Sequence, residues 1–304
     1  MRLKLGRPDI DRYRDRFDVP AADDGGLSVT FLGVASLLVS DGSTAIMTDG
    51  FFSRPGLIEV GLRRIAPDPV RINACLERVG ITTLEAVIPV HTHFDHALDS
   101  AVVAERTGAT LVGGESAAAV GRGHGLPAER IRIAEPGADL TFGAYEVTLI
   151  ASEHCPPDRF PGVIDRPLTP PAKAAAYRCG EAWSILVRHT SGNSLLIQGS
   201  AGYVEGALAG QQAEVVYLGV GQLGIQDEEY IETYWRETVG TVGARHVVLI
   251  HWDDFFRPLD QPLRALPYAG DDLDETMRVL TRLADADGVS LSFPTVWRRE
   301  NPWS

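Results

Sequence analysis

The apolar positions of the chain fall into short runs broken by glycine and by paired polar residues. Residues 27–32, 36–39 and 45–48 form the first three runs, separated by Gly33 and by Asp41 and Gly42. An Asp-Gly pair between apolar runs is a hairpin signal, because both residues tolerate the positive φ that a tight turn needs. These runs predict an antiparallel β meander. The period then changes. Residues 70–79 have helical spacing, and residues 84–90 are almost continuously apolar, as expected of a strand buried on both faces. Residues 96–107 predict a helix, 110–112 a short strand, 116–121 a short helix, and 146–150 a strand running into His154. Residues 183–188 and 194–198 are strands joined through Ser191, Gly192 and Asn193, and 215–218 and 247–250 are further strands. Residues 228–237 and 272–286 predict helices, with Asp271 and Asp272 favouring the N-terminus of the second. Hairpins followed by strand–helix units occur once in each half, so the expectation is one α/β domain built in two similar layers.

Two stretches stand outside this pattern. Residues 1–26, rich in Arg and Asp, predict an N-terminal arm leading into a domain over 27–304. Residues 155–182 contain six prolines (156, 157, 161, 167, 170 and 171) and little periodicity. A loop this long is commonly functional. Its place directly after His154 predicts an active-site lid, with Arg159 and Arg166 placed to close over an anionic group. The charged start predicts no signal peptide, and no run of about 18 apolar residues predicts a membrane span. The expected location is cytoplasmic.

Charge narrows the partners. Of 304 residues, 41 are acidic and 28 basic, a formal charge of −13. That field repels phosphate backbones and anionic membranes, so a small-molecule substrate is expected and nucleic acid is not. The three cysteines, Cys75, Cys155 and Cys179, are too few and too scattered for a disulfide framework.

The chemistry concentrates in His91-Thr92-His93-Phe94-Asp95-His96. With 8 histidines and 41 acids in 304 residues, a chance His-x-His-x-acid-His is expected in on the order of one in a thousand chains. Residues i and i+2 of an extended chain point the same way, so His91 and His93 suit one metal ion. Asp95 and His96, at the turn into a helix, point elsewhere and suit a second. Neutral imidazole and carboxylate are ligands that Zn²⁺, Fe²⁺ or Mn²⁺ accept. His154 and His251 also sit at strand ends. His124, His189 and His246 read as structural or surface residues.

This motif, followed in order by His154 and His251, resembles the metallo-β-lactamase superfamily. The resemblance covers roughly residues 27 to 297. The layout is similar to the branch of metal-dependent hydrolases that includes ascorbate-6-phosphate lactonase and the N-acyl-phosphatidylethanolamine phospholipase D type, whose early Asp motif Thr48-Asp49-Gly50-Phe51-Phe52 resembles. The resemblance implies a four-layer αββα sandwich. It places His91, His93 and His154 around a first metal and Asp95, His96 and His251 around a second, with Asp49 orienting the histidine loop from behind. It also implies an Asp bridging both metals after the strand over 194–198, where this chain has Ser200. A hydroxyl is a poorer ligand than a carboxylate, so the second site is expected to be weaker unless Glu153, Asp253 or Asp254 compensates.

The implied reaction is hydrolysis of a small ester, lactone or phosphodiester, with one or two ions, zinc first and Mn²⁺ or Fe²⁺ as alternatives. Asp95 is the expected catalytic residue, as a ligand or as acid–base group. Phe51, Phe52, Tyr203, Trp252 and Phe255 are candidate pocket walls, with Tyr203 and Trp252 carried forward as substrate-binding residues. The alternatives are a mononuclear iron dioxygenase-type enzyme and a degenerate, non-catalytic metal-binding member.

Overall fold

In a computed structural model, which describes residues 4–304, the first half of the chain builds one seven-stranded sheet. Its elements are β1 (Ser28–Phe31), β2 (Leu37–Ser40), β3 (Ala45–Thr48), α1 (Leu57–Leu62), β4 (Arg64–Ile65), α2 (Pro69–Arg78), β5 (Ala86–Ile88), α3 (Phe94–Ala97), α4 (Ser100–Thr107), β6 (Thr110–Gly113), α5 (Glu115–His124) and β7 (Ile131–Ile133). The second half supplies β8 (Asp139–Phe142), β9 (Tyr145–Ser152), β10 (Ala172–Lys173), β11 (Ala182–His189), β12 (Ser194–Gln198), β13 (Val215–Gly219), α6 (Glu228–Trp235), β14 (His246–Ile250), α7 (Leu273–Asp287), β15 (Ser290–Ser292) and β16 (Arg299–Glu300).

The two large sheets run β16-β1-β2-β3-β5-β6-β7 and β15-β14-β13-β12-β11-β9-β8, and β10 and β4 form a separate two-stranded ribbon. Each large sheet is antiparallel through its hairpins and parallel through its strand–helix units. That is the repeated layout expected from the hydrophobic pattern. The alternation of side chains along each strand makes the four layers. Val248 and Ile250 of β14 face the core between the sheets, whereas Val247 and Leu249 pack with Ile231 of α6 and Leu280 of α7. In the same way Ala86 and Ile88 of β5 face the inter-sheet core, and Val87 packs with Ile72 of α2 and Val103 of α4. Because both faces of these strands are buried, their sequence is continuously apolar.

The helix expected over 96–107 is two helices. Leu98 and Asp99 fall between α3 and α4, and Asp99 turns its carboxylate to the backbone N–H groups of Phe52 and Ser53. The helix expected over 228–237 keeps α6 and then widens into a π turn at Arg236–Gly240. Residues ahead of β1 lie against the sandwich: Ile10–Arg16 forms a 3₁₀ helix, Phe17 stacks on Phe293 at 5.2 Å, and Val19 is buried. Among the described residues, no helix is long and apolar enough to cross a membrane.

Candidate metal centre

Parallel strands end together, so the loops that leave them meet at one edge of the sandwich. The loop after β5 carries His91 and His93 and enters α3, which carries Asp95 and His96 on its single turn. The segment after β9 carries His154, the loop after β12 carries Ser200, the loop after β13 carries Gly221, and His251 directly follows β14. Their approach depends on glycine. A Cβ on Gly221 would lie 2.7 Å from His251 Nδ1, and one on Gly202 would lie 2.2 Å from the Glu153 carbonyl oxygen. His251 itself holds a φ of 58° and donates its backbone N–H to the Val34 carbonyl at 2.7 Å.

Two trios of side chains converge there. The ligand-type atoms of His91, His93 and His154 all lie within 4.8 Å of one another, as do those of Asp95, His96 and His251. In the first trio His91 Nε2 and His93 Nδ1 are 3.1 Å apart. In the second His96 Nε2 and His251 Nε2 are 3.2 Å apart, and Asp95 Oδ2 lies 3.6 Å from the former and 3.5 Å from the latter. The far side of three of these rings is held. His96 Nδ1 donates to Asp49 Oδ2 at 2.7 Å, His154 Nδ1 to the Cys155 carbonyl at 2.6 Å, and His93 Nε2 lies 3.2 Å from Asp158 Oδ1. Such partners fix the tautomer and leave the opposite nitrogen as an electron-pair donor.

The electrostatics agree. Burial, reinforced by the neighbouring rings, pushes the His91 imidazole well below its ordinary pKa. Burial lowers His93 as well, and burial with the neighbouring His93 brings His154 down to about 4. All three are therefore neutral at pH 7. Burial alone would raise Asp95, but His96 and His251 hold its carboxylate well below the usual range, so it is ionised. For His96, burial works downward and the Asp49 and Asp95 carboxylates outweigh it, raising its pKa. The three neutral imidazoles of His91, His93 and His154, with the ionised Asp95 carboxylate beside them, are a donor set that fits a divalent cation.

Asp49 lies behind the histidines, where it also accepts the Val90 N–H at 2.8 Å, and its φ is 53°. Ser200 reaches the cavity at the site but its Oγ accepts the Cys155 N–H at 3.0 Å, tying the His154 segment to β12. The acids considered as substitutes for the missing bridge are engaged or remote. Asp253 forms a fully buried pair with Arg54 at 2.7 Å, Asp254 pairs with Arg7 and Arg264, and Glu153 is exposed outside both trios.

A cavity of about 880 Å³ opens on both trios, lined among others by His93, Asp95, His154, Ser200 and His251. Tyr203 and Trp252 do not line it, which corrects the sequence expectation. Trp252 is buried against Phe17 and Phe293, and Tyr203 packs on Tyr230 and Tyr234. Adjacency in sequence to a ligand-bearing residue does not fix direction, because successive side chains of an extended segment point to opposite faces. Phe51 and Phe52 are likewise core residues, whereas Phe255 does line the cavity. The proline-rich stretch forms a wall through Arg159, Phe160 and Lys173; Arg166 is not on it. It is fastened down: Leu168 N–H donates to the Ala119 carbonyl, and the Cys179 carbonyl accepts the Thr92 N–H at 2.8 Å. Asp158 was missed by the sequence reading, and only its nearness to His154 in that stretch hinted at it.

The family model for the metallo-β-lactamase superfamily matches residues 29–172. Over that stretch the chain is similar to that superfamily. A metal-dependent hydrolase from an Anaeromyxobacter strain is 27% identical over 139 residues, which cover 44% of this chain and 45% of that relative; the match thus spans less than half of its length. Among solved structures, a metallo hydrolase from the archaeon Ignicoccus hospitalis superposes with a TM-score of 0.52 at 16% identity, over 90% of this chain and 96% of its own. A diiron β-hydroxylase from Streptomyces venezuelae superposes with a TM-score of 0.56 at 13% identity, over 92% of this chain and 54% of its own. At such identities the likeness is one of fold, and a shared fold does not fix the chemistry.

Proposed function

We propose that this protein is a metal-dependent hydrolase of small esters, lactones or phosphodiesters, with zinc as its resident ion. The observation that carries the reading is the pair of neighbouring trios, five of their six residues buried and His154 half-buried, opening on one cavity. His91, His93 and His154 would hold a first ion, and Asp95, His96 and His251 a second. A bound divalent ion supplies Lewis acidity and lowers the pKa of water to about 7. The chain's own contribution is order. Asp49 and Asp158 hold two rings in fixed tautomers. Asp95 is ionised and lines the cavity: with the second ion bound it would be a ligand of it, and with that ion absent it would hold an attacking water by hydrogen bond and serve as the acid–base group. Ser200 adds no charge between the trios, which leaves the second one the weaker binder. The relative named as a metal-dependent hydrolase supports the same reading.

The test is metal content by plasma mass spectrometry, on parent and Ser200→Asp protein, beside a panel of lactones and phosphodiesters. Zinc near one equivalent in the parent, rising toward two in the variant, with turnover lost in Asp95→Asn, is the expected result. Iron with oxygen-dependent turnover would overturn it in favour of an oxygenase. Bound metal without turnover of any panel member would favour a non-catalytic binding protein.

A further inference from the structure

The cavity carries a different charge balance from the molecule around it. The chain bears −13 overall, yet Arg7, Arg63, Arg159, Lys173 and Arg264 line the cavity against only two acids, Asp95 and Asp254. Asp254 is taken by Arg7 and Arg264, and Asp95 faces His96 and His251. Among the described residues, the side chains of Arg63, Arg159 and Lys173 make no ion pair and no hydrogen bond. Three uncommitted cations at the mouth of a cavity, on a strongly acidic protein, form a local focus for an anion.

The same mouth is also apolar. Leu57 and Leu62 of α1 line the cavity while remaining 64% and 83% exposed. Arg63 follows α1 directly, and Lys173 pairs with Arg64 across the β4–β10 ribbon, so the leucines and two of the cations share one small flap. Phe94, Phe255 and Phe256, also on the cavity wall, pack on one another with ring centroids 4.5 to 6.5 Å apart. Exposed leucines at the rim of an aromatic-walled cavity are apolar area awaiting a cover.

We propose that this site takes an anionic amphiphile: a small molecule whose anionic group meets Arg63, Arg159 and Lys173. Its alkyl or aryl body covers Leu57 and Leu62 and runs in against the phenylalanines. The proposal rests on the hydrolase reading of the same centre and adds its substrate class. The net charge of −13 argues against an anionic membrane as the occupant of the flap.

The test is calorimetric titration of the metal-loaded protein with octyl sulfate below its micelle concentration, beside octanol and inorganic sulfate. A sulfate ester is a weak ligand for divalent ions, so it reports the flap and not the metal centre. The expected result is one-to-one binding of octyl sulfate at least about tenfold tighter than either half-molecule. Arg63→Glu with Lys173→Glu should weaken octyl sulfate by about tenfold and leave octanol unchanged, since only the charged half is lost. Leu57→Ser with Leu62→Ser should weaken both. All four positions lie on the flap, and circular dichroism verifies that the variants fold. Equal binding of octanol and octyl sulfate, or indifference to charge reversal, would overturn the proposal. So would sedimentation showing the leucines buried between two copies, or capture by anionic vesicles without binding of monomeric octyl sulfate. Turnover of small neutral esters without octyl sulfate binding would sink this proposal and leave the hydrolase reading; tight octyl sulfate binding without turnover of any ester would do the reverse.

Discussion

At the scale of single residues, the centre depends on what is missing as much as on what is present. Gly221 has no side chain where His251 approaches, and a Cβ there would sit 2.7 Å from Nδ1. Gly221→Ala must therefore displace the ring, because atoms at that distance overlap. The expected outcome is selective and is read in the Ser200→Asp background, where both trios should fill: adding Gly221→Ala empties the Asp95, His96 and His251 trio while the His91, His93 and His154 trio keeps its ion, so metal content falls from near two equivalents to near one in a folded protein. Asp99 supplies a second test. Burial pushes its carboxyl up to about 6, against the downward pull of bonds from Ser53 Oγ and the Ser53 and Phe52 N–H groups. The unfolded chain ionises this group near 3.8. As pH falls through 6 toward 4, the native state takes up a proton that the unfolded state does not, so this group's contribution to stability rises on acidification. Asp99→Asn removes that term. The parent should gain on the variant in thermal midpoint between pH 7.5 and pH 5, and parallel pH profiles would show that Asp99 does not titrate there.

At the scale of elements, one buried ion pair binds three connections. Arg54, after β3, meets Asp253, after β14, at 2.7 Å with both side chains fully buried. Asp253 also accepts the Val34 N–H from the turn between β1 and β2 at 2.8 Å. Arg54→Met leaves the Asp253 charge buried without its partner, which commonly costs about 3–5 kcal/mol. Chemical denaturation should show a loss of that order; a loss below about 1 kcal/mol would mean that water reaches Asp253. No sequence pattern announced this pair, because Arg54 and Asp253 lie 199 residues apart. The strongly periodic elements were legible: β12 has the expected bounds, and α2 and α7 are within a residue of theirs. Short elements were not. α1, β4, β10 and β16 have too few residues to show a period, and β7 is stabilised by pairing with β6, a long-range fact absent from its own three residues. The six metal-type residues stood out because their chemistry is rare and each follows a strand. The cavity walls did not, because whether an aromatic beside a ligand faces core or cavity is decided by tertiary packing.

At the scale of the whole molecule, the centre joins two halves that the chain builds separately. His91, His93, Asp95 and His96 come from the edge of the first sheet, whereas His154 and His251 leave β9 and β14 of the second. Each trio draws from both sheets, so an ion held by either one links the two layers. The unfolded chain has no such preformed trio, since the residues of the two trios are spread from position 91 to position 251. Binding to the native state alone stabilises it by an amount set by the ratio of free metal to dissociation constant, about 2.7 kcal/mol at a hundredfold excess. Chelation should therefore lower the thermal midpoint, and adding zinc back should restore it in a concentration-dependent way. The two-layer argument makes a sharper demand than simple stabilisation. Hydrogen exchange after chelation should quicken at the ends of both β5 and β9 that lead into the His91, His93 and His154 trio, on opposite sheets, while the inter-sheet core around Val248 and Ile88 stays protected. Exchange that quickens on one sheet alone would mean that the trios do not couple the halves, and that the core between the sheets holds them together unaided.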